Sequence, residues 1–138
     1  MALQYGVTLR NNRLDSVETT VGTAPKLQLR SGAPPANCAA AATGTMVCEI
    51  TLPSDWLVAA AAGVKSKTGT WSGTGDAGAG AGTSVAHFRV LDSAGTTCHM
   101  QGTVTATGGG GDMTMTNVSV ASGQAVTVDT FTITGGNA

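Results

Sequence analysis

The apolar residues of this chain follow two different periods along the sequence. At about 100° per residue, the angle of an α-helix, several apolar side chains near the N-terminus share one face: Leu3, Val7, Leu14, Val17 and Val21. Gly22 and Pro25 then supply a helix stop signal. The pattern predicts an N-terminal helix over residues 4–21.

Beyond the helix the period becomes two, which is typical of half-buried strands. Strict alternation over residues 26–30 and 46–52 predicts two strands, and similar runs follow at 85–91, 98–106, 112–120 and 126–133, with a short candidate at 68–71. Apolar parity changes inside the 112–120 and 126–133 runs. Because such a change needs an extra residue, we expect bulges near residues 116–117 and 129–130.

About seven strands without alternating helices favour a mainly β fold, an antiparallel β-sandwich or jelly-roll-like domain. We therefore expect one domain over residues 1–138, with the helix at 4–21 and the β-sandwich at 26–134. Residues 31–44 read as a long surface loop, and the Gly-rich residues 73–82 as a mobile loop or a contact arm. Ser54 is a candidate cap for a short helical turn that starts at Trp56, which we expect in the core.

Composition changes this picture by suggesting a covered surface. Only 11% of the residues are charged, with a formal net charge of -1, whereas soluble domains typically carry about a quarter. A surface of Gly, Ala, Ser and Thr carries little charge, so copies of the protein repel one another weakly and association is favoured. The scattered basic residues speak against nucleic-acid binding. No apolar run suits a membrane span and the start lacks a signal peptide pattern, so we expect cytoplasmic assembly and no membrane partner.

Candidate catalytic and metal chemistry is weak in the sequence. The zinc donors are Cys38, Cys48, His87, Cys98 and His99. They lack the close spacing of zinc sites, so free and mostly buried thiols are expected. No nucleophile elbow or phosphate loop occurs, and paired carboxylates for glycoside chemistry cannot be placed. We expect no enzyme activity, no cofactor and no metal, with a small hydrolase as a remaining alternative.

Several short segments carry a family resemblance. They are LQY at 3–5, ANC at 36–38, LPSDW at 52–56, SAGTTCH at 93–99, QGTVTAT at 101–107 and GGGGDM at 108–113, together with Arg10, Leu14 and Asp15. With these segments the chain resembles small tailed-bacteriophage virion proteins, nearest in role to the capsid cementing, or decoration, proteins. The resemblance covers nearly the whole chain and includes no catalytic motif.

The resemblance implies a jelly-roll-like fold, a homodimer, and binding across neighbouring major capsid subunits on the outside of an icosahedral shell in the virion. For the contact surface we single out the helix residues Val7, Arg10, Leu14 and Val17, together with Trp71 and residues 73–82. Arg10 lies within the apolar stripe, where it either snorkels to water or pairs across an interface. The alternative function is a phage tail or fibre module that binds a cell-surface glycan.

Overall fold

The computed structural model describes residues 1–138 and contains one α-helix, one 3-10 turn and ten strands. The helix α1 is Val7–Val21 and the 3-10 turn is Ala77–Ala79. The strands are β1 (Lys26–Arg30), β2 (Met46–Thr51), β3 (Val64–Ser66), β4 (Ser72–Thr74), β5 (Thr83–Ser84), β6 (His87–Leu91), β7 (Cys98–Ala106), β8 (Met113–Met115), β9 (Ser119–Val120) and β10 (Ala125–Thr134). The prediction of a mainly β protein with an N-terminal helix is confirmed.

Eight strands form one curled sheet, a half-barrel compatible with the predicted sandwich or jelly-roll-like architecture. Its order is β2-β1-β6-β7-β8-β10-β3, and β4 also pairs with β10. The sheet is mixed because β7 and β8 run parallel, which corrects the purely antiparallel expectation. The Gly-rich residues 107–112 carry the chain back along β7, so β8 runs in the same direction as β7. Strands β5 and β9 form a separate antiparallel pair.

The concave side of the sheet encloses one cluster of 21 buried hydrophobic residues. Four aromatic rings contact one another in a row through this cluster. The centroid distances are 6.1 Å for Trp56–Trp71, 5.5 Å for Trp71–Phe131 and 5.5 Å for Phe88–Phe131. Such tilted and edge-on pairs add to the free energy that burial alone supplies. Trp56 is fully buried, so its predicted place in the core is confirmed.

The helix begins three residues later than predicted. Gly6 caps it with an extended backbone, and the Tyr5 N–H donates a hydrogen bond of 2.6 Å to the Asn137 carbonyl. The first residues therefore lie along the C-terminal segment, and this tertiary pairing replaces the helical turn that the apolar period suggested.

Two short predictions between residues 53 and 74 are wrong. No helical turn starts at Trp56, because Ala62 and Gly63 form a turn with φ of 52° and 77° that folds residues 57–61 back as an extended segment against β3. Residues 68–71 connect strands β3 and β4 and are not themselves a strand. The local sequence cannot show this pairing, since its partner lies across the turn.

Of the two predicted bulges, the second is confirmed. The register of β10 against β8 shifts between Val128 and Thr130, where the apolar parity changes. The first parity change marks instead a break between β8 and β9, which belong to different sheets. A change of apolar parity in the sequence thus corresponds to a bulge in β10 but to the end of a strand after β8.

The Gly-rich residues 73–82 are ordered and pack closely. A Cβ atom on Gly73 would lie 2.9 Å from Ile50 Cγ1, and one on Gly75 would lie 2.1 Å from the Ala121 carbonyl oxygen. Ala79 in the 3-10 turn is buried. Glycine is therefore needed at Gly73 and Gly75 for close backbone approach, and this segment packs within its own chain instead of forming a loose loop.

Candidate interaction surface

Helix α1 docks on the edge of the sheet mainly through polar side chains. Asn11, Asp15 and Glu18 share one side of the helix. Their oxygens accept hydrogen bonds from the backbone N–H groups of Gly63 at 2.8 Å, Ala60 at 2.9 Å, and Trp56 and Leu57 at 3.2 Å each. The helix therefore satisfies the donors that residues 56–63 present at this edge, and a partner strand cannot pair with them.

A buried lysine, paired with two partly exposed carboxylates, completes this helix contact. Lys65 of β3 is 2% exposed, and its Nζ atom lies 2.8 Å from Asp15 Oδ1, 3.2 Å from Glu18 Oε2 and 2.9 Å from the Val58 carbonyl oxygen. Burial by itself lowers the pKa of Lys65, but the two carboxylates outweigh it and raise this pKa above 10.5. The Lys65 ammonium, with the Ala60 N–H, holds the pKa of Asp15 below 3.8. Both groups are charged at neutral pH.

Arg10 is held within its own chain. Its Nη1 atom donates to the Gly135 carbonyl oxygen at 3.4 Å, and the guanidinium lies close against Gly63. Its Nε atom is buried without a partner. Of the two sequence interpretations, neither an acidic partner nor full hydration describes this side chain, because a backbone carbonyl near the C-terminus receives it.

The structure separates the five predicted contact residues. Trp71 is fully buried and its Nε1 atom donates to the Thr68 carbonyl, while Leu14 is 5% exposed. Both are therefore wrong as contact residues, because neither side chain reaches the surface. Val17 and Arg10 are half-buried, and Val7 is 47% exposed. Of the five, Val7 presents the most open apolar surface to a partner.

Other exposed apolar residues lie close to Val7 in the sequence, near the N-terminus. Leu3 is 66% exposed, Leu9 is 49% exposed, and Met1 is fully open. We call Met1, Leu3, Val7 and Leu9 the N-terminal patch. Sequence reasoning missed Leu9 because it falls outside the helical stripe. Leu9 lies about 200° around α1 from Val7, so a partner must reach both sides of this helix end to cover the two side chains. Val58 and Val64 are the remaining large apolar side chains at the surface.

A second polar contact lies on the convex face of the sheet, beneath residues 31–45. The register places Gln28, Arg89 and Gln101 side by side on β1, β6 and β7. Arg89 Nη2 donates to the carbonyls of Cys38 and Ala40 at 2.8 and 3.1 Å, and Gln101 Nε2 donates to Pro35 at 2.6 Å. The loop is thus fastened by its backbone carbonyls.

His87 and Arg30 extend this layer toward the start of the loop. His87 is fully buried, and its Nδ1 atom lies 2.7 Å from the Gly32 carbonyl oxygen. Arg30 donates to the carbonyls of Thr43 and Gly44. Burial lowers the pKa of His87, and the positive charges of Arg30 and Arg89 add to this effect, whereas the hydrogen bond to the Gly32 carbonyl opposes it. His87 is therefore neutral at neutral pH, which makes its Nδ1–H the donor.

The three cysteines are free thiols. Cys48 is buried in the core, and burial raises its pKa to about 11, with Asp76 as a further cause. Cys38 and Cys98 are half-buried, and the Cys98 thiol donates to the Met100 carbonyl oxygen at 3.5 Å. Burial, followed by the neighbouring Cys98 thiol, raises the pKa of Cys38 to about 11. No three His, Cys, Asp or Glu side chains converge as metal ligands would. The five zinc donors of the sequence are thus distributed between the core and the convex face.

An open depression of about 580 Å³ lies between α1 and strands β7 and β10. Val17, Met100 and Ile133 contribute to its wall, and His99 and Asp112 lie at its polar side. Asp112 Oδ2 already accepts hydrogen bonds from the Thr103 N–H and hydroxyl. This carboxylate is thereby engaged in holding the turn after β7, and the groove offers apolar contact more than acid–base chemistry.

The single α-helix of the chain is neither long nor apolar enough to cross a membrane. Comparison of the chain with known protein families, with curated proteins and with solved structures finds no match.

Proposed function

We propose that this chain is a structural virion protein that decorates the outer surface of an icosahedral phage capsid and cements it by bridging major capsid subunits. The observation that carries the proposal is the N-terminal patch, four large apolar side chains that are each exposed near the start of the chain. Apolar clusters at a surface mark sites that a partner covers. The family resemblance of the sequence supplies the kind of partner.

The covered sheet edges favour the patch as the contact over strand addition. Residues 57–61 flank β3, and the Val47 carbonyl of β2 accepts a hydrogen bond from the Asp76 N–H. These contacts leave few free backbone groups for a partner to extend. We therefore place the capsid contact, and the homodimer contact, at the N-terminal end of α1.

A cement of this kind needs only weak individual sites. Val7 and Leu9 are each about half exposed, so covering both contributes roughly 2 kcal/mol. A dimer that holds two capsid subunits at once gains effective concentration without further contact chemistry. Repeated over many copies, such contacts must break before the shell opens under internal pressure.

The test is co-sedimentation of the purified chain with empty capsid shells, followed by imaging of the particles. We expect the double variant Val7→Ser/Leu9→Ser to bind about 30-fold more weakly than the natural chain. Val58→Ser is the matched control for Val7→Ser, because Val58 is 44% exposed against 47% for Val7. Size-exclusion chromatography with light scattering reports the homodimer in the same samples.

The outcomes separate the alternatives. Many copies on the head, lost in the patch variant and kept in Val58→Ser, support the proposal. A few copies confined to the tail would support the fibre alternative with glycan recognition. Binding that is equal for Val7→Ser and Val58→Ser would contradict the assignment of the patch.

A further inference from the structure

Two arginines on the convex face of the sheet have no acidic partner. The ion pairs within the chain all belong to Lys65, and neither Arg30 nor Arg89 takes part in one. Arg89 is 5% exposed, and its Nε atom is buried without a hydrogen bond. A buried guanidinium without a counter-charge is costly, because backbone carbonyls replace only part of its hydration.

The two positive charges lie close enough to influence each other. Burial, followed by the charge of Arg89, lowers the pKa of Arg30. The nearby carboxylates are already engaged. Glu49 accepts a hydrogen bond from Gln28, whose oxygen in turn receives Arg30 Nη1 at 3.1 Å. Asp92 accepts from the N–H groups of Thr96 and Thr97. The positive charge at this place is therefore not neutralised by the fold.

Both arginines line one cleft of about 410 Å³ between the loop and the sheet. Gln28 and Thr96 add side-chain hydrogen-bonding groups to its wall, and residues 39–42 form an alanine side. Arg89 Nη2 donates hydrogen bonds to the loop carbonyls, whereas its Nε atom has no hydrogen-bond partner. The cleft thus combines two guanidinium groups, of which the Arg89 Nε atom has no hydrogen-bond partner, with a volume larger than a small anion requires.

We propose that this cleft is a binding site for an oxyanion group, either a phosphate or a carboxylate, with Arg89 at its base and Arg30 at its rim. Guanidinium groups bind both kinds of anion through paired, charge-assisted hydrogen bonds. An anion would supply the missing counter-charge and a partner for the open donors. The site is separate from the N-terminal patch and does not depend on the capsid assignment.

The experiment titrates the purified chain with inorganic phosphate and, separately, with acetate, while chloride holds the ionic strength constant. Amide chemical shifts of Cys38, Thr96 and Arg30 report local binding, and the melting temperature reports stabilisation. We expect saturable shifts confined to these residues. A response to phosphate alone identifies a phosphate group as the ligand, and a response to acetate identifies a carboxylate.

The variants Arg89→Gln and Arg30→Gln are each expected to weaken binding at least tenfold. Arg13→Gln is the matched control, because Arg13 lies on the exposed side of α1 over the Tyr5 ring. Since both arginines also hold the loop, either variant can lose the cleft altogether, and the titration of the natural chain then decides whether an anion binds. The proposal is overturned if neither anion binds saturably, or if Arg30→Gln binds as tightly as Arg13→Gln.

Discussion

Two polar contacts lie on the outside of this sheet: one beneath helix α1, and one beneath the loop of residues 31–45. They differ in whether the buried positive charge has a carboxylate partner. On the helix side, Lys65 is 2% exposed and meets the carboxylates of Asp15 and Glu18. On the loop side, Arg89 is 5% exposed and meets only the carbonyls of Cys38 and Ala40. Helix and loop are each held by hydrogen bonds between side chains and backbone groups. Only on the helix side does the buried positive charge meet carboxylates.

The difference suggests different roles for the two contacts. A buried charge with two carboxylates is complete within the chain, so it stabilises one position of the helix. A buried charge without a counter-charge keeps donors open, so it gains most when an anion arrives. The paired contact is therefore interpreted as structural and the unpaired contact as a candidate site.

Truncating the paired lysine should give the largest effect. Lys65→Ala removes a buried stem and leaves two carboxylates facing each other, and we expect the free energy of unfolding to fall by about 3 kcal/mol. Lys65→Met keeps the stem without the charge, and we expect a loss of only about 1 kcal/mol. Urea unfolding measures both. Because both variants remove the ammonium, the difference between them measures the packing of the stem. Equal losses would therefore assign the whole effect to the lost pairing and none to the stem.

Removing the unpaired charge should matter less to stability. Arg89→Met loses two hydrogen bonds to the loop but also removes the desolvated guanidinium, so we expect the free energy of unfolding to fall by about 1 kcal/mol or less. The measurement is urea unfolding in buffer free of phosphate and carboxylates. A loss as large as that of Lys65→Ala would break the distinction between the two contacts.

Acidification should lower the free energy of unfolding in two steps, first through His87 on the loop side and then through Asp15 on the helix side. We expect each step to be smaller than the effects of the substitutions above. The pKa of His87 on the loop side lies below 6.5 in the folded chain, so the unfolded chain binds the proton first and stability declines as pH falls below 6.5. The pKa of Asp15 on the helix side lies below 3.8, so its contribution is present above 3.8 and is lost as pH falls through the folded pKa.

Urea unfolding at successive pH values from neutral to acid measures these two steps. His87→Gln should flatten the first decline, and Asp15→Asn should flatten the second. A profile that stays level until the carboxylate range, in both the natural chain and His87→Gln, would contradict the buried neutral imidazole.

Much of the sheet follows from local alternation. The pattern predicted β1, β2, β6 and β7, because the period of two is a property of a few adjacent residues. It also located the bulge near residues 129–130. The same reasoning did not show that Gly73 and Gly75 pack closely against β2 and Ala121.

The candidate surfaces were harder to predict than the strands. Val7 was predicted as a contact and is exposed, but Leu14 and Trp71 are buried. Lys65, in a short strand, reads as an ordinary surface lysine, and its partner Asp15 lies fifty residues earlier. Which faces remain open depends on how the helix and the loop settle on the sheet, and no short window of sequence contains that information.

The sequence by itself determined the period of each segment, the sparse charge and the aromatic residues that require a core, because each depends on residue type and local spacing. Only the tertiary structure decided which charges were paired. Lys65 finds carboxylates because α1 crosses the edge beside β3, whereas Arg89 lies under a loop that brings only carbonyls. Coulomb energy acts across space and not along the chain, so distant residues decide whether a buried charge is complete.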